Sequence, residues 1–437
     1  MSVIGLVCLQ YSEKEEKLAE KIIETIKKAL KNTTVKNGIW MYALQFFNVV
    51  IPVVTIPYIT RTLGAGKYGL FSIAVNIINY LQVIVEYGFS MSGSRKIALQ
   101  KEDDSRLFSK ILQCRLILLL VCIGISGVYI FIKRDNVELC ICEALLLMAI
   151  VGYCMDMSWF FQGKQDMKYI TIINVAGRTA SMILIFLLVK GPADLLLYCI
   201  LFSISPFLSG ILGMIICIRK FHLRLLKVKF EEIRKELEDG WYVFTSQFSA
   251  KVYGVVGITF LGMFAAAEEV GVYSAINKIP NTLILIWVPI GQVLYPVTSK
   301  KFNESWNTGR KFVKQARKII VPAIALVSLF FGIFSKQIVG LLFGAEYAEK
   351  SYWVIPLLIW MIFSIENGFN GVQTLLASGN DKSYSKCFQI GVVFTVVTHF
   401  LLIFFFKGEG APFALLISEM FLTLLLRREI KKINDRM

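Results

Sequence analysis

The sequence predicts an all-α membrane protein of twelve transmembrane helices. It arranges them as two six-helix lobes related by a parallel repeat, with a central cavity between the lobes. Three observations lead there: an apolar composition, twelve apolar stretches of bilayer length, and a correspondence between the two halves of the chain. Of 437 residues, 56% are hydrophobic and 18% charged, and the mean hydropathy is +0.63. A soluble chain of this length carries more polar surface than that.

About 20 apolar residues in a helix cross a hydrocarbon core roughly 30 Å thick. Stretches of that kind fall at 38–59, 69–92, 111–132, 139–161, 168–189 and 194–218 in the first half. They recur at 241–264, 271–297, 319–342, 352–377, 384–406 and 411–427 in the second. The loops between them are too short to hold a folded domain. The organisation is therefore an amphipathic N-terminal segment (1–35), a first lobe (36–218), a basic linker (219–240), a second lobe (241–430) and a short tail (431–437). In the N-terminal segment Leu18, Ile22, Ile26 and Leu30 form one stripe of a helix expected over 13–31, lying on the inner membrane surface.

The net charge of +16 is distributed unevenly. With both ends placed inside, the inner segments hold 35 of the 47 Lys and Arg residues and the outer loops hold 8. That bias puts both termini in the cytoplasm and the basic surface against anionic lipid of the inner leaflet. Nucleic acid is not indicated as a partner, because no loop interleaves aromatic residues with the basic ones as a base-stacking surface does. The nine cysteines show no paired spacing for a metal or redox centre, and eight lie in spans as small apolar residues.

A gapless shift of 202 residues lays Gln45-Phe46 on Gln247-Phe248, Gly69 on Gly271, Ser72 on Ser274 and Leu81 on Leu283. The segment "YGLFSIAVNI" then overlies "VGVYSAINKI". Six spans per half keep both halves in one orientation, so the repeat is parallel. Under it Lys278 overlies Asn76 and Lys251 overlies Val49, so these charges belong to one lobe and not to the shared scaffold.

Four bases lie within spans: Arg115, Arg178, Lys251 and Lys278. A lone charge at the centre of a bilayer helix costs roughly 2.5–3.5 kcal/mol on insertion scales, so such residues face a cavity or a partner. Arg178 and Lys278 sit well inside their spans, whereas Arg115 lies near the inner end of its own and is long enough to snorkel. Arg61 and Arg95 stand at span ends, each as a gate or as an interfacial anchor. The acids Glu86, Asp156 and Glu366 are candidates for proton or sodium coupling, or for charge balance against the bases. Pro52 and Pro57 in span one, and Pro280 and Pro289 with Pro296 in span eight, mark those helices as bent. Broken helices are tolerated in membranes where they line a cavity.

"PYITRTLGAGKYGLFSIAVNIINYLQVIVEYGFSMSGSRKIA" (57–98) resembles the opening of bacterial polysaccharide repeat-unit flippases of the Wzx type. These belong to the multidrug/oligosaccharidyl-lipid/polysaccharide exporter superfamily. The resemblance continues through "WFFQGKQDMKYITIINVAGR" (159–178), "VGVYSAINKI" (270–279), "QVLYP" (292–296) and "LFGAEY" (342–347), and covers nearly the whole chain after residue 35. It implies a two-lobed inner-membrane transporter and no enzyme. The cargo it implies is an undecaprenyl-diphosphate-linked oligosaccharide, carried from the cytoplasmic to the periplasmic leaflet by alternating access. Such a transporter serves O-antigen, capsule or exopolysaccharide assembly, beside a polymerase and other assembly proteins.

The resemblance also implies a cationic cavity, in which Arg178, Lys278, Lys251, Arg61 and Arg115 are the substrate-binding candidates. It implies no bound cofactor; coupling would be to protons, sodium or the membrane potential. An inside-negative potential pushes an anionic head outward by about 2.3 kcal/mol per charge per 100 mV. A drug/cation antiporter of the same superfamily is the alternative, and the intramembrane acids keep it open.

Overall fold

The computed structural model describes residues 33–100 and 102–435. The stripe at 13–31 lies outside them. Among the described residues ten helices are long and apolar enough to cross a bilayer, and the chain is a multi-pass membrane protein.

Two of those helices, Val35–Ala98 and Asp381–Asn434, run to 64 and 54 residues and each contains two of the stretches read from the sequence. At about 1.5 Å per residue, 64 residues in one straight helix would extend on the order of 100 Å, three times a hydrocarbon core. Helix α1 (Thr33–Glu86) is therefore broken, and the break is at Gly64, whose φ of 74° and ψ of 167° suit a residue without Cβ. Its backbone keeps helical angles through Pro52 and Pro57, so the non-helical point lies past both prolines. The second long unit is divided at Lys407, φ 49°, and a 3₁₀ turn over Lys407–Glu409.

The first half continues with α2 (Phe89–Ala98), α3 (Asp104–Ile132), α4 (Val137–Met155), the short α5 (Ser158–Gly163), α6 (Met167–Leu188) and α7 (Leu195–Phe221). The second begins with α8 (Phe230–Phe264), so the latter part of the expected 219–240 linker is helical. Its start is fixed by Glu231 and Glu232 in the first turn, where negative charge meets the positive end of the helix dipole. The Lys229 backbone N–H donates to Glu232 at 3.3 Å, and Arg106 and Lys96 bind Glu232 and Glu236 at 2.5 and 2.6 Å. These bonds tie the start of α8 to the first half.

Span eight is three helices, not one bent helix: α9 (Ala267–Ile276), α10 (Lys278–Ile284) and α11 (Trp287–Glu304). Pro280 and Pro289 each fall in the first turn of a new helix, where a missing N–H leaves no intrahelical bond unmade. The joints they allow are at Asn277 and at Leu285–Ile286. The chain then runs through α12 (Trp306–Ile333), α13 (Ser335–Phe343), α14 (Ala345–Ala348) and α15 (Val354–Asn367). A π-helical segment follows over Gly368–Leu376, and then α16 (Asp381–Phe406) and α17 (Gly410–Asn434).

The halves meet through a reciprocal backbone contact. A Cβ placed on Gly69 of α1 would lie 1.6 Å from the Ala267 carbonyl oxygen, and one on Gly271 of α9 would lie 2.0 Å from that of Ala65. Ala65 and Ala267, like Gly69 and Gly271, are 202 residues apart, the offset of the sequence correspondence. Each half presents the same small-residue pair to the other, as in an isologous interface.

Candidate functional site: a charged cavity beside an apolar crevice

A cavity of about 420 Å³ opens among α1, α4, α6 and α7, and Lys278 of α10 completes its wall. All its lining residues but that one come from the first half of the chain, so it lies within one bundle and not midway between two. Glu86, Asp156, Arg178, Lys278 and Pro52 of the sequence-derived set are all in its lining.

The lining holds two acids and two bases, a formally balanced set where the sequence suggested a cationic one. The two signs are not treated alike. Gln82 donates to Glu86 at 2.8 Å. Asp156 accepts the Ser158 hydroxyl at 2.7 Å and the Ser158 backbone N–H at 3.3 Å, a local turn held by its own side chain. Arg178, half-buried, and Lys278, exposed to the cavity, have no hydrogen-bond or ion-pair partner among the described residues. The carboxylates are engaged by neutral donors and the cations are left with their full donor capacity.

Lys278 also borders a second space, an apolar crevice of about 200 Å³ lined by Pro52, Val53, Pro57, Ile279, Leu283 and Phe331 among others. Span eight is broken at the residue before Lys278, which places the ammonium group where charged cavity and apolar crevice meet.

The remaining candidates stand elsewhere. Arg115 is 2% exposed and donates to the Asp156 backbone carbonyl at 2.5 Å, holding the end of α4 from behind the cavity. Lys251 of α8 donates to Asn79 of α1 at 3.2 Å, beside the Asn76–Thr259 and Tyr80–Thr259 contacts at 2.8 Å. That polar seam joins the halves. Arg61 is exposed and donates to the carbonyls of Gly340, Leu341 and Leu342 at the end of α13, where cations complement the helix dipole. Close by, Glu346 accepts the Ala65 backbone N–H at 3.0 Å and Tyr347 donates to the Thr60 carbonyl at 3.3 Å. Glu366 is far from these, buried at 4% exposure between Arg317 and Arg427 at 2.7 Å each. Charge balance there comes from two arginines that the sequence placed among the inner-loop bases.

A family model described as polysaccharide biosynthesis protein matches residues 34–302, well over half of the chain. The chain belongs to this polysaccharide biosynthesis family. It is 26% identical over 399 residues to an Escherichia coli (strain K12) protein named for O-antigen transport, covering 90% of this chain and 95% of that one. In fold it is similar to an inward closed structure of the lipid II flippase MurJ, with a TM-score of 0.72 at 13% identity over 90% of this chain and 87% of that chain. It is also similar to an inward-facing multidrug resistance MATE family transporter of the MOP superfamily, with a TM-score of 0.68 at 14% identity over 90% and 95%. These relatives are transporters and flippases, not enzymes. The whole charged cavity falls within the family match, whereas Glu366 and the arginines around it lie beyond it.

Proposed function

We propose that this member of the polysaccharide biosynthesis family flips undecaprenyl-diphosphate-linked oligosaccharide repeat units across the bacterial inner membrane, from the cytoplasmic to the outer leaflet, by alternating access. The observation that carries this reading is the pair Arg178 and Lys278, contributed by opposite halves to one cavity and left without anionic partners. A guanidinium fork and an ammonium point charge are the two groups best suited to a diphosphate. The apolar crevice beside Lys278 suits the first units of a polyprenyl tail, while the rest of the tail stays in lipid. The relatives named for O-antigen transport and lipid II flipping support the cargo class.

In this reading the ten long helices make twelve crossings, with both termini cytoplasmic, and the two halves are lobes related by the 202-residue repeat. The reciprocal Gly69–Gly271 contact supports that symmetry. Glu86 and Asp156 balance the cavity when it is empty and accept protons or sodium if the cycle is ion-coupled. They also carry the second reading, a drug/cation antiporter of the same fold.

The test is a lipid extraction from cells that make the cognate repeat unit and lack redundant flippases. Without the gene, undecaprenyl-diphosphate oligosaccharide should accumulate, measured by mass spectrometry. Normal lipid levels together with altered dye retention would select the antiporter. A related prediction concerns Arg61: in a cysteine-free background, Arg61→Ala should raise labelling of a cysteine at Thr55, in the cavity wall, by a membrane-impermeant maleimide added outside intact cells. Unchanged labelling would assign Arg61 to anchoring alone.

A further inference from the structure

Outside the cavity, the densest concentration of charge surrounds Glu366. Two adjoining spaces of about 410 and 310 Å³ share Arg310, Arg317 and Asn370 in their walls. The first adds Lys311 and Lys314, and the second adds Arg427 and Lys431. Six bases thus converge from the start of α12 and the end of α17, and two of them, Arg317 and Arg427, contact the buried Glu366.

One carboxylate does not account for six cations. Glu366 binds Arg317 and Arg427 through separate oxygens at 2.7 Å each, and Asn370 donates to it at 3.4 Å. Two guanidinium planes are thereby fixed with several N–H groups of each unused. Arg310 is half-buried, and its hydrogen bond is a long one, 3.4 Å, to the hydroxyl of Thr374. Lys311, Lys314 and Lys431 have no ion-pair partner among the described residues. Interfacial anchors splay towards lipid headgroups, whereas these side chains share concave walls.

The backbone beneath is also unusual. Asn370 and Thr374 belong to the π-helical segment, a geometry rare in helices and frequent at functional sites. Thr374 turns its hydroxyl to the Phe369 carbonyl five residues back, at 2.8 Å, and so presents its oxygen to Arg310. The π-helical segment thus contributes Asn370 to the walls of both spaces.

We propose that this pocket is a second anion site, built for the phosphate group of a lipid headgroup: Arg310, Arg317 and Arg427 grip it while Lys311 and Lys314 close over it. The shared chemistry is a phosphate or diphosphate ester. Its source is either a bulk anionic phospholipid or a polyprenyl diphosphate waiting outside the cavity. The site stands on its own residues and shares none with the Arg178–Lys278 cavity.

Three probes separate the sources, each titrated against purified full-length protein in detergent: farnesyl diphosphate, phosphatidylglycerol and inorganic diphosphate. Arg310→Gln should weaken binding about tenfold or more, the scale of one charge-assisted hydrogen bond. The exposed Lys314→Gln should weaken it less, and every variant is compared with its parent in an Arg178→Ala/Lys278→Ala background, so that the cavity does not contribute to the binding measured. Stronger binding of farnesyl diphosphate identifies the substrate lipid, stronger phosphatidylglycerol the surrounding membrane, and equal binding of all three a phosphate site indifferent to the tail. Wild-type affinity for all three probes in both Arg310→Gln and Arg427→Gln, with unchanged thermal stability, would overturn the site. Full transport by Lys278→Ala would instead remove the cavity reading and leave this one intact.

Discussion

Lys278→Ala, produced at the abundance of the wild type, should reduce export of the lipid-linked glycan by roughly 10- to 100-fold. The completed lipid-linked unit should accumulate in the same cells. That range corresponds to one hydrogen bond to a charged group, about 1.5–3 kcal/mol. Arg178→Ala should act similarly, and the double variant should approach the deletion, since both side chains line one cavity and, in the proposed function, meet one dianion. Lys278→Arg should keep part of the activity, because a cation of comparable reach remains, but the planar fork differs from a point charge. Folding does not confound the comparison. Lys278 is exposed and bonded to no described side chain, so its removal leaves no buried group unsatisfied. Full rescue by Lys278→Ala would refute the role assigned to it.

The second large effect is on stability. Gly69→Ala should destabilise the protein by about 3 kcal/mol or more, beyond the usual cost of overpacking. The added methyl would stand 1.6 Å from the Ala267 carbonyl oxygen, and no side-chain rotation relieves a clash with backbone. Gly271→Ala, facing the Ala65 carbonyl at 2.0 Å, should do the same. Gly254→Ala is the control, since a Cβ there meets nothing within 4 Å. Thermal unfolding of the three variants in detergent, followed by size-exclusion fluorescence, reads the difference. Equal stability of Gly69→Ala and Gly254→Ala would show that the halves do not depend on this contact.

Much of the cavity was legible because a charge inside an apolar span is conspicuous. Arg178, Lys278, Glu86 and Asp156 needed only a count of charges within spans. The direction of a side chain was not legible in that way. Arg115 and Lys251 are equally conspicuous, yet they bind the Asp156 carbonyl and Asn79, because which face of a helix meets which neighbour is decided by tertiary packing. Arg310, Arg317 and Arg427 were hidden for the opposite reason. They sit at span ends, where basic residues are expected as topology signals, and nothing local separates an anchor from a side chain turned into a pocket. The prolines announced an interrupted span eight but placed the interruptions only to within a few residues. In α1 the break belongs to Gly64, which the prolines did not indicate. The offset of 202 aligned Gly69 with Gly271, but alignment of two residues carries no statement that they touch.

The position of that contact along the helices has a mechanical meaning. Gly69 lies just past the break at Gly64, and α1 runs on from it to Glu86, with α2 extending to Ala98. The remaining 17 residues of α1 alone span roughly 25 Å at 1.5 Å per residue. A fulcrum placed near one end of a rod makes it a lever with unequal arms. If the halves turn about Gly69 and Gly271 by roughly ten degrees, the far end of α1 travels about 4 Å, while Arg61, eight residues before the fulcrum, moves about half as far and Ala65, bonded to Glu346, about 1 Å. The same small rotation is then a coarse movement at one face and a fine adjustment at the other, and the short bonds around Arg61 need only slight strain to release.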